Sequence, residues 1–262
     1  MRVDKIEDDV LIARGEVYDS SALVLLAGRE ALLVEALGSR PDAESLRAFV
    51  VGELGRTVRF IVATHYFSDH MAGLALFPEA DIVAHRLHRH TFDTELHRTD
   101  EERAFFVAPT LVVSESLVLR FGRFSLDIFW NPGQTMGCLA VDVPEADLLH
   151  ASDTLVGNIA YLCYSSPALL IAALERLKQR GRRRVLASHG GVVTPGAFES
   201  ALHYTSSLEA RVRQARKQDD PPAIEAIPLA ACLPLGVTPT AFEDIFHRRN
   251  LASVAERHLF ES

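Results

Sequence analysis

At 262 residues, with 48% hydrophobic and 24% charged side chains, the chain holds enough apolar material for one large or two small globular domains and too much for disorder. Twenty-seven basic residues against 35 acidic ones leave a net charge of −8, which argues against a phosphate-backbone binder. Cys138, Cys163 and Cys232 form no CxxC unit, so neither a disulfide framework nor a thiolate zinc knuckle is suggested. Apolar runs stop well short of the roughly 20 residues that span a bilayer, and the acidic start lacks a secretory pattern. A cytoplasmic protein with a small-molecule partner, and neither nucleic acid nor membrane, is expected.

Short apolar runs bounded by turns predict strands at 9–18, 21–28 (SALVLLAG) and 30–36 (EALLVEA). Pro41, suited to a first turn, opens a helix that runs to about Leu54. VRFIVA (58–63) reads as a buried strand; the polar segment Thr64–His70 and a short helix, MAGLALF, follow it. A second batch of strands is predicted at 81–84, 110–114, 116–121, 125–130, 138–143 and 147–151. A helix over 167–180, a strand at 184–188 and helices beyond Pro195 complete the chain. Lys217–Pro222 looks linker-like, but the roughly 40 residues after it are too few for a domain. One α+β or α/β domain is expected, with a core of about 1–195 and a helical extension of about 196–262.

Thr64, His65, Ser68, Asp69 and His70 crowd into one loop after a buried strand, and loops at strand ends are where rigid scaffolds hold sites. Two imidazoles and a carboxylate offer the nitrogen and oxygen donors that Zn²⁺, Mn²⁺ or Fe²⁺ accepts. NPGQTMG (131–137), Ser152-Asp153 and Ser188-His189-Gly190 each follow a further predicted strand, so four strand ends could converge. HRLHRH, with His85, His88 and His90, reads instead as a solvated helix face beside Arg86 and Arg89. His97, His203, His247 and His258 read as surface or packing residues, His150 as structural, and Arg180–Arg184 as capping the preceding helix.

The ordered set THYFSDH (64–70), PGQTMG (132–137), SD (152–153) and SHG (188–190) resembles the metallo-β-lactamase superfamily, in particular glyoxalase II-like hydrolases. The family pattern is T-H-x-H-x-D-H, P-G-H-T-x-G, G-D and G-H-G. The resemblance covers about residues 10–195 and implies an αββα four-layer sandwich. It also implies two metal sites, which this chain treats unequally. Of the three first-site histidines only His65 remains; Phe67 has no donor atom and Gln134 offers only an amide oxygen. The second-site set, Asp69, His70, Asp153 and His189, is complete. Ser152 and Ser188 stand where the family has glycine, so a shift of the backbone beside both ligands is expected.

The resemblance therefore implies one divalent metal, zinc first with iron or manganese as alternatives, in the second site. It further implies hydrolysis of a small-molecule ester, thioester, lactone or related bond. Asp153, released from bridging, or His65, released from the metal, would serve as general base. A catalytically silent binding protein and an iron-dependent oxidoreductase are the competing readings. The helical extension is expected either to cover the cleft or to form a homodimer seam, and the loops 85–109 and 156–166 to set specificity.

Overall fold

Strands that are apolar on both faces decide the architecture. In SALVLLA, Leu23 and Leu25 face one way and Ala22 and Val24 the other, and all four are fully buried. The sheet they join must therefore be covered on both sides. The computed structural model describes residues 1–95, 98–162, 164, 166–218, 221–257 and 259–260 and shows the αββα layering; His97, Cys163 and His258 lie outside the described residues.

The first sheet runs β1 (Arg2–Glu7), β2 (Val10–Arg14), β3 (Ser21–Ala27), β4 (Glu30–Val34), β5 (Thr57–Val62), β6 (Asp81–His85) and β7 (Leu111–Val113). It is antiparallel up to β4 and parallel from there on. The second sheet contains β8 (Ser116–Phe121), β9 (Phe124–Trp130), β10 (Leu139–Val143) and β11 (Leu148–Ser152). After a separate hairpin of β12 (Leu155–Val156) and β13 (Ile159–Ala160), β14 (Arg184–Ala187) and β15 (Val192–Val193) complete it. Between the sheets lie side chains such as Leu23, Leu25, Val62, Ile128 and Val141.

The helices α1 (Arg40–Arg47), α2 (Ser68–Met71) and α3 (His88–Thr94) bury Leu46, Met71 and Phe92 against the outer face of the first sheet; the short α4 (Asp100–Arg103) follows. The second sheet is covered by α5 (Pro167–Lys178), α6 (Gly196–Lys217), α7 (Pro221–Glu225) and α8 (Ala241–Glu256). The Ser39 and Ser166 hydroxyls accept backbone N–H bonds at the starts of α1 and α5, each with proline in the first turn.

Four local readings change. The strand expected over 9–18 stops at Arg14, because Tyr18 and Asp19 turn the chain at φ 51°. The helix expected to reach Leu54 is α-helical only to Arg47 and widens into π-type turns over Ala48–Glu53, where Val50, Val51 and Gly52 are poor helix formers. His85 is buried at the end of β6 and stacks on Trp130 with 5.5 Å between centroids, so it belongs to no solvated helix face. The run Arg180–Arg184 ties the second sheet instead of capping α5. Arg182 grips the buried Asp142 at 2.6 and 3.1 Å, and Arg180 bonds Asp127 at 2.6 Å while lying over the Phe129 ring.

The C-terminal helix is keyed to the β12–β13 hairpin by buried polar side chains. Asn250 accepts from Leu162 N–H and donates to the Ala160 carbonyl, both at 2.8 Å, and donates to the Tyr204 hydroxyl at 2.9 Å. Glu243 accepts from Asn158 N–H at 2.6 Å. Gly157 (φ +59°) allows that approach, since a Cβ there would lie 2.4 Å from a Glu243 oxygen.

Candidate metal centre and cleft

Parallel strands deliver the site. β5 ends into the loop that carries His65 and into the first turn of α2 with Asp69 and His70; β11 ends at Ser152 before Asp153; β14 ends before Ser188 and His189. The carboxyl ends of these strands bring the three polar clusters together.

Within the cluster, His70 Nε2 lies 3.4 Å from Asp69 Oδ1 and 3.5 Å from Asp153 Oδ1. His189 Nε2 lies 3.5 Å from Asp69 Oδ2 and 3.4 Å from the same Asp153 oxygen. These separations are too long for good hydrogen bonds. They approach the ligand–ligand spacing of about 3.4 Å expected around a zinc ion with bonds of about 2.1 Å, although the two histidines meet different oxygens of Asp69. Ligand atoms of Asp69, His70 and His189 lie within 4.8 Å of one another, as do those of His65, His70 and Asp153. His70 Nε2, His189 Nε2 and Asp153 Oδ1 are buried, and none has a hydrogen-bond partner among the described residues. Two imidazoles and two carboxylates with their donor atoms left open fit a single divalent cation.

The far side of each imidazole is handled differently. His189 Nδ1 bonds the Tyr18 carbonyl at 2.9 Å, which leaves Nε2 to face the carboxylates. His70 Nδ1 faces Glu35 Oε2 at 3.7 Å. His65 Nδ1 lies 3.1 Å from the Thr64 hydroxyl and 3.2 Å from the Ser152 hydroxyl, and its Nε2 lies 3.5 Å from Asp153 Oδ2. Ser152 does keep a backbone suited to glycine, at φ +54°, but its hydroxyl also bonds Thr64 Oγ1 at 2.8 Å and so helps hold His65.

Glu35 was missed by the sequence reading. It sits fully buried at φ +71° just after β4, where its Oε1 accepts from both the Thr64 N–H (3.1 Å) and the Thr64 hydroxyl. The available signal was a lone acid inside the apolar run EALLVEALG. Burial raises its carboxyl, with the His70 and His65 imidazoles opposing. Burial would likewise raise Asp153, but His189, His70 and His65 outweigh it and hold that carboxyl well below its ordinary value. Burial would lower His70, yet Asp69, Asp153 and Glu35 together pull its imidazole up to about 10. The cluster attracts positive charge, whether proton or cation.

Phe67 and Gln134 supply no further donor set. The Phe67 ring stands edge-on to His65 (5.2 Å) and to Tyr164 (5.1 Å), and Gln134 Oε1 accepts from the Cys138 thiol at 3.5 Å. A cleft of about 350 Å³ opens above the cluster, walled by Phe67, Tyr161, Tyr164, Phe246 and Arg249 with Asp69 and Asp153 reaching into it. Glu95, just after α3, and Glu102 of α4 also line it, as do the α8 residues just named, so the C-terminal helix covers the cleft of its own chain. His150 lies beside the site, its Nδ1 accepting from Ser152 N–H at 3.2 Å, and burial lowers it to about 3. His247 is buried between Tyr204 and the Ile227 carbonyl. Among the described residues no helix is long and apolar enough to cross a membrane.

Comparison with known proteins shows the family and the fold. The family model of the metallo-beta-lactamase superfamily matches residues 15–212. A hydroxyacylglutathione hydrolase of Brucella ovis is 25% identical over 174 residues, 66% of this chain and 61% of that protein's own length. A metallo-beta-lactamase from Pontibacter korlensis superposes with a TM-score of 0.64 at 18% identity, covering 76% of this chain and 95% of that one. The stereoselective inverting sec-alkylsulfatase Pisa1 from Pseudomonas sp. gives a TM-score of 0.71 at 11% identity, covering 99% of this chain and 50% of that one. These two structures share the fold.

Proposed function

The chain belongs to the metallo-beta-lactamase superfamily, a metal-dependent and hydrolase-like family, and from that premise we propose a hydrolase of a small-molecule ester, thioester, lactone or related bond. One divalent cation, zinc by donor chemistry, would be held by Asp69, His70, Asp153 and His189. The observation that carries the reading is the set of four donor-atom separations of 3.4–3.5 Å, beside a phenyl ring where a second donor set would need an imidazole.

When bound, the cation supplies Lewis-acid polarisation of the scissile group. The chain's own residues supply the rest. His65 Nε2, buried 3.5 Å from Asp153 Oδ2, accepts a proton from the attacking water as the water oxygen bonds to the acyl carbon. The same imidazole returns that proton to the leaving oxygen or sulfur as its bond to carbon breaks. Asp153, with its carboxyl held low, stays ionised and is a better ligand than base. The rings of Phe67, Tyr161 and Phe246 limit water at the reacting centre.

Phe67 favours one competing reading, a binding protein without turnover. Elemental analysis of purified protein, joined to a screen of acyl and lactone substrates, separates the readings. About one zinc per chain with turnover lost in Asp69→Ala and His189→Ala supports the hydrolase. Iron with redox turnover would replace it by an oxidoreductase, and no bound metal with no turnover by the binding protein.

A further inference from the structure

The turn that meets the cleft from the N-terminal side is strained. Tyr18 and Asp19 both sit at φ 51°, a left-handed conformation that residues with side chains avoid. Such a turn persists only where its surroundings hold it, and here each residue has its own clamp. The Asp19 carboxylate is gripped by Arg14 and by Arg2, the latter at 2.8 Å. Tyr18 is held from the other end of the chain. The Arg249 guanidinium of α8 lies 5.0 Å from the Tyr18 ring centroid, and its Nη2 donates to the Tyr18 hydroxyl at 3.1 Å.

What this turn delivers is a carbonyl. Tyr18 C=O takes the hydrogen bond from His189 Nδ1, and Asp19 C=O accepts from Gly190 N–H at 3.1 Å. The helix that carries Arg249 also packs Phe246 on the His189 ring, with 5.4 Å between centroids. The side chain of α8 and the backbone of residues 18–19 thus act on one imidazole from two directions.

We propose that Arg249 is a positioning residue for the metal centre: through Tyr18 it holds the strained turn whose carbonyl orients His189, so the docking of α8 sets how tightly the cation is held. The inference rests on the metal-centre reading above. Outer partners of metal-bound histidines typically change affinity 10–100-fold when removed.

The test is Zn²⁺ affinity, measured by competition with a chromophoric chelator, on the full chain and on Arg249→Ala, Tyr18→Gly and the double variant. Arg249→Ala is expected to weaken zinc binding about tenfold with an unchanged circular dichroism spectrum, and Arg249→Lys to recover part of the loss. Tyr18→Gly keeps the carbonyl and removes the strain at position 18, while Arg14 and Arg2 still hold Asp19, so it should stay near wild-type affinity. On that background Arg249→Ala should have no further effect, a rescue that a purely structural role would not give. Unchanged zinc affinity in Arg249→Ala, equal losses on both backgrounds, or a change confined to substrate KM would each overturn the proposal. A wild-type chain that binds no zinc would instead sink the metal-centre reading on which it stands.

Discussion

If the proposed single site is right, placing imidazoles at positions 67 and 134 should add a second metal to the first, at a measurable cost in the metal-free state. Phe67 is 5% exposed and edge-on to two rings. Exchanging phenyl for imidazole gives up much of a buried side chain's transfer energy, about 1.5–3 kcal/mol, and part of pair terms worth about 0.5–1.5 kcal/mol each. Gln134→His loses little more, since its Nε2 has no partner among the described residues and its Oε1 meets only a thiol. The metal-free double variant should therefore be about 3 kcal/mol less stable, a Tm lower by roughly 6–12 °C for a chain of this size. Each zinc site at a hundredfold excess over its Kd returns about 2.7 kcal/mol, so saturating zinc should bring the variant back near the zinc-loaded wild type. Plasma emission spectroscopy after desalting gives the stoichiometry and scanning calorimetry the Tm. Two zinc ions in the wild type, or a single one in the double variant, would refute the reasoning.

Three smaller expectations follow from particular contacts. Gly38→Ala would set a Cβ 2.7 Å from the Asp69 carbonyl oxygen and 2.9 Å from its Cα; the forced shift should lower stability by about 1–3 kcal/mol and weaken zinc binding, read by urea melts and chelator competition, and an unperturbed variant would contradict the packing described. Asn250→Ala leaves Leu162 N–H and the Ala160 carbonyl without their partner, so urea unfolding should show a loss of about 2–4 kcal/mol; a loss under 0.5 kcal/mol would mean that the hairpin is held some other way. Glu7 lies below its ordinary value because of Arg184 and then Arg123, and Asp9 because of Arg123. A lowered carboxyl stabilises the fold above its unfolded value and loses that contribution as pH falls through the folded one. Arg123→Gln should thus unfold more easily than wild type above roughly pH 5 and converge with it towards about pH 2; curves that stay parallel would refute the assignment.

The layers were legible because their signal is local. Runs such as SALVLLAG and VRFIVA are apolar on both faces, and proline marks the starts of α1 and α5. The convergence of the candidate ligands was legible because each member sits next to a strand end in an ordered motif. What escaped depends on contacts that no local pattern announces. β1, with its charged RVDKIE, is an exposed edge strand without apolar alternation. Glu35 looks like an interruption of a strand until Thr64, 29 residues on, donates to it. The Tyr18 carbonyl is a backbone group, invisible in residue identity, and its partner lies 171 residues away. Arg180–Arg184 read as a helix cap because its acidic partners Asp127, Asp142 and Asp147 come from other elements.

Because Phe246 and Arg249 come from α8 while the four candidate ligands lie between residues 69 and 189, the chain assembles its site in two instalments during synthesis. On a ribosome that makes N-terminal regions first, the candidate ligands emerge before the part of the wall that α8 supplies. A nascent chain of which about 200 residues have left the ribosome would carry the four donors in a half-open dish, with no finished recess to hold a substrate.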